Sequence, residues 1–537
     1  MARRDVGSTG RTLGGGMGVL PMSPAQETRR REEIVGLLAM AVVIGAYFIL
    51  RYGGLWAESD TGVMTAAIRV VRDNGELAPQ APGVYVNGYG YQVISIAIMA
   101  FTGLSVEALQ ILVYPLLSAV LVLPAWMLYR ELTGSARIAS LATLLLLLVP
   151  EHLFAILRGS HERLDRAFLL TALWLLLRSA RFRGDRPRFL INLALVVLMT
   201  YGLIATNALF GMSFIVALAT AAILSLLVGL VSGRLRPHAA ETARLLGWAS
   251  GAGALLLLLF VLYIYPPFGP SLGALSAIPG KLVAIITSGA PGFDPYTYVT
   301  TAWVNTLAFL VLSAMNFVVL GTSVLVWLHL GRSWLRGKTP SSIGIWVLWS
   351  LYAAFAMQGA AAILSDQTGS LQGNVQYRAF SVFSTVAVPM VALGLSRWRP
   401  GAWQRGAATV LVAAATILAL AKSTLEPAVS NKWMFYTAPE LQGLRWADNN
   451  QRDTDTWVGP DDRLPAAYLL LDGDPAVGNA WVTAAEPGPD VDSFLTSPAI
   501  LVQSARLEVA MPSTASMEVV YDNGQVQLLH RRAQAGP

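Results

Sequence analysis

The sequence has no cysteine. That excludes disulfide staples and thiolate metal centres, and it leaves the redox state of the compartment unreadable. Charge is also scarce: only 13% of the 537 residues are Asp, Glu, Lys or Arg, against about 25% in a typical soluble domain. No Gly-rich dinucleotide or P-loop fingerprint occurs, which argues against a nucleotide-bound substrate. No period of about 20–50 residues marks a repeat array. The first 33 residues hold Gly and Arg but no apolar core, so they read as a disordered cytoplasmic tail rather than a signal peptide.

What remains is apolar. Hydrophobic residues make up 55% of the chain, and they gather in runs of roughly the 20 residues that a helix needs to cross hydrocarbon. The expected fold is an α-helical polytopic membrane protein of about eleven transmembrane helices. The spans fall near 34–50, 106–129, 136–150, 167–178, 189–206, 208–231, 245–265, 301–330, 342–362, 376–395 and 405–421. The net charge of +6 conceals a division: residues 422–537 carry 8 Lys and Arg against 15 Asp and Glu, and the basic excess lies in the membrane region. Most of those basic residues fall in loops on one side. By the positive-inside rule this places the N-terminus in the cytoplasm and the acidic C-terminal part outside. The asymmetry is one of topology, not a nucleic-acid footprint.

Residues 422–537 read as a soluble extracytoplasmic α+β domain. "APELQGLRWADNNQRD" has the spacing of an amphipathic helix, while "DTWVGPDDR" and "SMEVVYDNGQVQLLHR" read as strands with Asp-Asn-Gly turn chemistry. Between spans one and two, residues 51–105 form a long outer loop. It holds an amphipathic "TGVMTAAIRVVRDNG" and a short apolar "YQVISIAIMAFTGL", expected to be a helix lying in the interface. Pro266–Thr300, rich in Pro and Gly, is expected to be a covering loop, and Asp294 within it a turn residue.

The charges that do occur near the hydrocarbon are concentrated. "RGSHERLDR" puts Arg158, His161, Glu162, Arg163, Asp165 and Arg166 between two apolar runs, and "WAESD" places Glu58 and Asp60 just past the first span. Charges so near lipid are expensive and tend to mark function. On one reading the two loops meet and hold a divalent metal, Mg or Mn, through the oxygens of Glu58, Asp60, Glu162 and Asp165. On another, these acids are solvated or neutralise Arg158, Arg163 and Arg166. "HERLD" lacks the second imidazole of H-E-x-x-H, so it is not a zinc-protease helix.

The order of these features resembles the N-terminal half of the GT-C glycosyltransferases, the superfamily of protein O-mannosyltransferases and oligosaccharyltransferase catalytic subunits. Pro150, Arg158, Gly159, Ser160 and Glu162 look like a degenerate form of the string that ends the second outer loop of oligosaccharyltransferases. The resemblance implies a sugar moved from a polyprenyl-phosphate-linked donor to an acceptor glycan, lipid or protein at the outer face. It implies Asp60 and Glu162 as the catalytic acids, with Arg378, Arg158 and His161 as substrate-binding residues. The acceptor motif W-W-D-Y-G of oligosaccharyltransferases is missing, "LRWADNN" being the nearest string, which weighs against whole-glycan transfer to protein. A transporter would need ionisable residues at mid-membrane, and the span interiors are nearly free of them. A scaffold without activity stays open. A shared site requires the Asp60 and Glu162 carboxylates to lie within about 10 Å.

Overall fold

The computed structural model describes residues 24–81, 83–182, 184–289, 292, 310–370, 375–396, 401–427, 433–450, 457–459, 463–471, 482–483, 493–507 and 517–531. Among them are ten helices long and apolar enough to cross a membrane, or eleven if one bent pair counts as a span. The chain is a multi-pass membrane protein. Its outward surface inverts the soluble pattern: Leu226, Leu230, Val231, Leu325 and Val410 are exposed on helix faces, as lipid-facing positions should be. The first helix runs Pro24–Tyr52, so the stretch from Pro24, read above as tail, is already helical; Asp294 and the first 23 residues lie outside the described residues.

Three stretches depart from the hydropathy reading. The run 167–178 lies within Glu162–Arg181, a helix whose charged ends keep it out of those ten helices. The run 136–150 is not one straight span: Ala136–Leu146 and Pro150–Leu157 are separate helices bent by 73°. Pro150 opens the second one, and Val149 before it is extended, because a residue preceding proline is pushed out of the helical region. Apolarity continues through the break, so hydropathy alone does not see it. In Pro266–Thr300, Gly269–Ser288 is a 20-residue helix rather than loop. Pro270 stands in its first turn, where no intrahelical N–H is lost, and Pro279 is accommodated further along.

The first long loop contains the two expected helices, Ser59–Asn74 and Gly90–Thr102, each closed by a glycine at positive φ, Gly75 and Gly103. Left-handed backbone there costs glycine nothing. The C-terminal part forms a five-stranded mixed sheet. Its strands are β1 (Trp457–Gly459), β2 (Val482–Thr483), β3 (Ser493–Thr496), β4 (Met517–Asp522) and β5 (Gln527–Arg531), in the order β2-β1-β3-β5-β4. β4 and β5 are the expected hairpin, turning at Gly524 with φ +84°. The helices Ala438–Asn450 and Arg463–Leu470 cover it through Leu444, Ala447, Leu464, Leu495 and Leu528, and Ala57 and Ala66 of the first loop share that core.

This part sits directly on the first loop. Ala57 N–H donates to the Met434 carbonyl and Tyr436 N–H to the Leu55 carbonyl. The Arg69 guanidinium caps the end of Arg463–Leu470 by donating to the carbonyls of Leu469 and Leu470 at 2.7 and 3.1 Å. The helix bearing Asp60 is therefore packed against the helix Arg463–Leu470.

Candidate active site

The helix Ser59–Asn74 begins where it does because Glu58, in extended conformation, accepts a hydrogen bond from Asp60 N–H at 3.2 Å. A carboxylate is a favoured N-cap, and the first turn of a helix favours a second one. Asp60 thus projects from the positive end of the helix. The next residue ties the loop to its partner: Thr61 Oγ1 accepts the backbone N–H of Gly159 at 3.1 Å.

Opposite it, the short helix Pro150–Leu157 ends at Arg158 and the chain turns into Glu162–Arg181. Arg158 Nη1 lies 3.0 Å from Glu58 Oε1, and its Nη2 lies 2.8 Å from Asp60 Oδ2 and 3.0 Å from Glu162 Oε1. Burial alone lowers this guanidinium's pKa, but the carboxylates of Asp60, Glu58 and Glu162 outweigh it and hold it above its ordinary value. Arg378, in the first turn of Val375–Leu395, stands further out, 4.0 Å from Asp60 and 3.7 Å from Glu162. Exposure separates the roles. The Arg158, Glu162 and Glu58 side chains are 7%, 6% and 12% exposed, whereas Asp60 is 26% and Arg378 40% exposed. Asp60 and Arg378 are the most exposed groups of the cluster.

His161 is buried beside this cluster. Asn207 caps the helix Ala208–Val231, its Oδ1 accepting the Phe210 N–H at 3.1 Å. That fixes the amide orientation, so Asn207 Nδ2 donates to His161 Nε2 at 2.6 Å. The imidazole is held neutral with its proton on Nδ1, and burial pushes its pKa down to about 4. Tyr85 OH lies 3.3 Å from the same nitrogen.

The other charges of "RGSHERLDR" have different tasks. Arg163 donates to the Leu157 and Arg158 carbonyls and lies over the Tyr114 ring. Arg166 donates to Ser381 Oγ at 2.8 Å and covers Phe210. These two guanidiniums clamp the loop and bind its helix to neighbouring spans. Asp165 is fully buried, 3.7 Å from His161 Nε2, and neither of its oxygens accepts a hydrogen bond within the protein.

The structure therefore brings Glu58, Asp60, Arg158, Glu162 and Arg378 into one cluster, with His161 alongside and Asp165 next to that imidazole rather than on Arg158. Among the described residues, no three His, Asp or Glu groups are placed to share a metal ion. The four oxygen donors expected for Mg or Mn do not converge, because Arg158 stands between three of them. The residues as arranged do not fit a divalent metal; for Glu58, Asp60 and Glu162 the geometry is that of acids neutralising Arg158. Thr61, Tyr85 and Asn207 were not anticipated. The only sequence signal for Asn207 is an Asn ahead of an apolar run in "TNALF", an N-cap pattern.

"LRWADNN" lies within the helix Ala438–Asn450, where Leu444 is buried, Trp446 stacks on Tyr521, and Asp448 accepts the Tyr468 hydroxyl. It is a structural segment.

No protein-family model matches the sequence, and no curated protein is significantly similar to it. Solved structures do match in three dimensions. The apo oligosaccharyltransferase of Archaeoglobus fulgidus superposes with a TM-score of 0.53 at 14% identity, over 94% of this chain and 75% of that one. The same organism's enzyme tethered to an acceptor peptide containing the NVT sequon gives 0.51 at 12% identity, over 89% and 71%. AglB from that organism, in complex with an inhibitory peptide and a dolichol-phosphate, gives 0.53 at 12% identity, over 90% and 72%. At such identities the likeness is one of fold alone.

Proposed function

We propose that the chain transfers a sugar from a polyprenyl-phosphate-linked donor to an acceptor glycan, lipid or protein at the outer face of the membrane. In this reading the N-terminus is cytoplasmic and the domain after Lys422 extracytoplasmic. The observation that carries it is the facing of Asp60 and Arg378 across 4.0 Å, the most exposed acid and base of the cluster. In the reaction the acceptor oxygen bonds to the anomeric carbon as the bond from that carbon to the donor phosphate breaks. The phosphate leaves with the bonding pair, and the acceptor proton passes to Asp60. Arg378 offers the departing phosphate paired donors. Asp60 orients the acceptor hydroxyl and takes its proton. Glu162 sets Arg378 from behind and adds negative potential where positive charge builds on the sugar.

A groove beside the cluster supports a lipid donor. Its cavity of about 890 Å³ is walled by Trp327, Trp349, Tyr352, Phe380 and Phe383, and it reaches Gln376 and Tyr377, which immediately precede Arg378. An isoprenoid chain lying there would bring its phosphate to the Arg378 end of the groove.

Transfer of a whole lipid-linked glycan to protein is the second reading, favoured by the likeness to oligosaccharyltransferases. The structural role of Leu444–Asn450 weighs against it. Mass spectrometry of lipids co-purifying with the full chain tests the proposal. A polyprenyl-phosphate sugar should accompany the wild type and be depleted from Arg378→Ala, and that sugar should transfer to an acceptor in membranes. A chain that retains no lipid-linked sugar and transfers none overturns the reading.

A further inference from the structure

The cation at the centre of the carboxylate cluster is a side chain. The contacts of Arg158 to Glu58, Asp60 and Glu162, at 3.0, 2.8 and 3.0 Å, have the length of charge-assisted hydrogen bonds. A Mg²⁺ ion would draw the same oxygens to about 2.0–2.1 Å. The guanidinium is also anchored. Arg158 closes the helix Pro150–Leu157, lies 4.6 Å over the Phe154 ring, and offers its carbonyl to Ser160 N–H at 2.8 Å and to Arg163. Three carboxylates against Arg158 and Arg378 leave a single net negative charge. A divalent ion entering there would meet repulsion from both guanidiniums and would have to strip Arg158 of its partners.

We propose that Arg158 takes the place of a divalent cation, so that the cluster is a metal-independent centre; the catalytic half of this statement rests on the transferase reading above. Arg158 is a positioning residue. Both of its terminal nitrogens are committed to carboxylates, so it holds Asp60 and Glu162 in place. The charge that develops on the leaving phosphate, as its bond to the sugar breaks and it keeps the electron pair, falls to Arg378. The same geometry carries a second expectation: with the guanidinium removed, three carboxylates face one point, and carboxylate oxygens suit Mn²⁺.

Electron paramagnetic resonance of free Mn²⁺, titrated into the full-length chain in detergent, tests this without reference to turnover. The wild type should take up no Mn²⁺ at the cluster, while Arg158→Ala should bind a single ion with a Kd of about 10⁻⁴–10⁻³ M, and Asp60→Asn added to it should abolish that binding. Arg158→Met, which keeps bulk against Phe154, serves if the alanine variant does not fold. Uptake of Mn²⁺ by the wild type that Asp60→Asn removes overturns the proposal, as does a folded Arg158 variant that binds none. In a transfer assay, chelation should leave the rate unchanged, and a loss restored by Mg²⁺ would also overturn it. If no donor supports transfer, the transferase reading fails, yet the Mn²⁺ titration still decides what occupies the cluster.

Discussion

The backbone N–H of Gly159 donates to Thr61 Oγ1 across 3.1 Å, joining loops 98 residues apart in sequence. The approach is close enough to exclude any side chain. A Cβ on Gly159 would stand 2.7 Å from Thr61 Cγ2 and 3.1 Å from Gln110 Oε1. Gly159→Ala should therefore lower stability by about 1–3 kcal/mol through overpacking and separate Asp60 from Arg158. Thermal unfolding in detergent measures the first effect and transfer rate the second. An alanine variant with both intact would show that the loops do not depend on this contact.

Asp60 and Glu162 share one nitrogen of Arg158 but differ in access. Asp60→Asn should cut transfer by about 10²–10⁴-fold, the usual worth of a general base, with donor lipid still retained. Arg378→Lys keeps the charge but loses the fork that grips phosphate, so it should weaken donor retention more than it slows the bound complex. Lipid mass spectrometry and single-turnover rates separate the two.

The Glu440 carboxylate is fully buried with Arg463 at 3.2 Å and also accepts from Ser497 at 2.6 Å and Thr437 N–H at 2.8 Å. Removing one member of such a pair leaves a buried charge alone. Arg463→Met should destabilise the C-terminal part by about 3–5 kcal/mol, read by proteolysis of that part, and a joint Glu440→Leu should recover much of the loss.

His161 gives stability a pH dependence. Its native imidazole protonates only at about 4, against 6.5 when exposed. Between those values the unfolded chain binds the extra proton, so stability falls as pH drops from about 6.5 towards 4. His161→Gln should flatten that decline relative to the wild type in a series of melting curves. Parallel curves for the two proteins would mean that the imidazole does not stay neutral in the fold.

Much of the architecture was legible in the sequence because lipid leaves a helix few ways to be polar. The spans, the first-loop helices and the β4–β5 hairpin all follow from apolar run length, amphipathic spacing and turn chemistry. The two acidic loops were legible as neighbours because charge beside hydrocarbon is costly. The bend before Pro150 was not, since Leu147, Leu148 and Val149 are as apolar as the helices they separate. Nor was the helix Gly269–Ser288, whose prolines and glycines mimic loop composition. The partition of charge was hidden for another reason. Nothing in "RGSHERLDR" says that Arg158 is spent on three acids while Arg163 and Arg166 brace the loop; that depends on Glu58, Thr61 and Ser381 arriving from elsewhere.

The helix bearing Asp60 rests on residues far along the chain: its Arg69 holds the carbonyls of Leu469 and Leu470, 400 and 401 positions later, and Ala57 is bonded to Met434. During synthesis the first loop is made long before those residues exist, so its support arrives only after every later span has been made. A chain that stopped short of Met434 would thus leave the helix bearing Asp60 without that support, however well its spans were integrated.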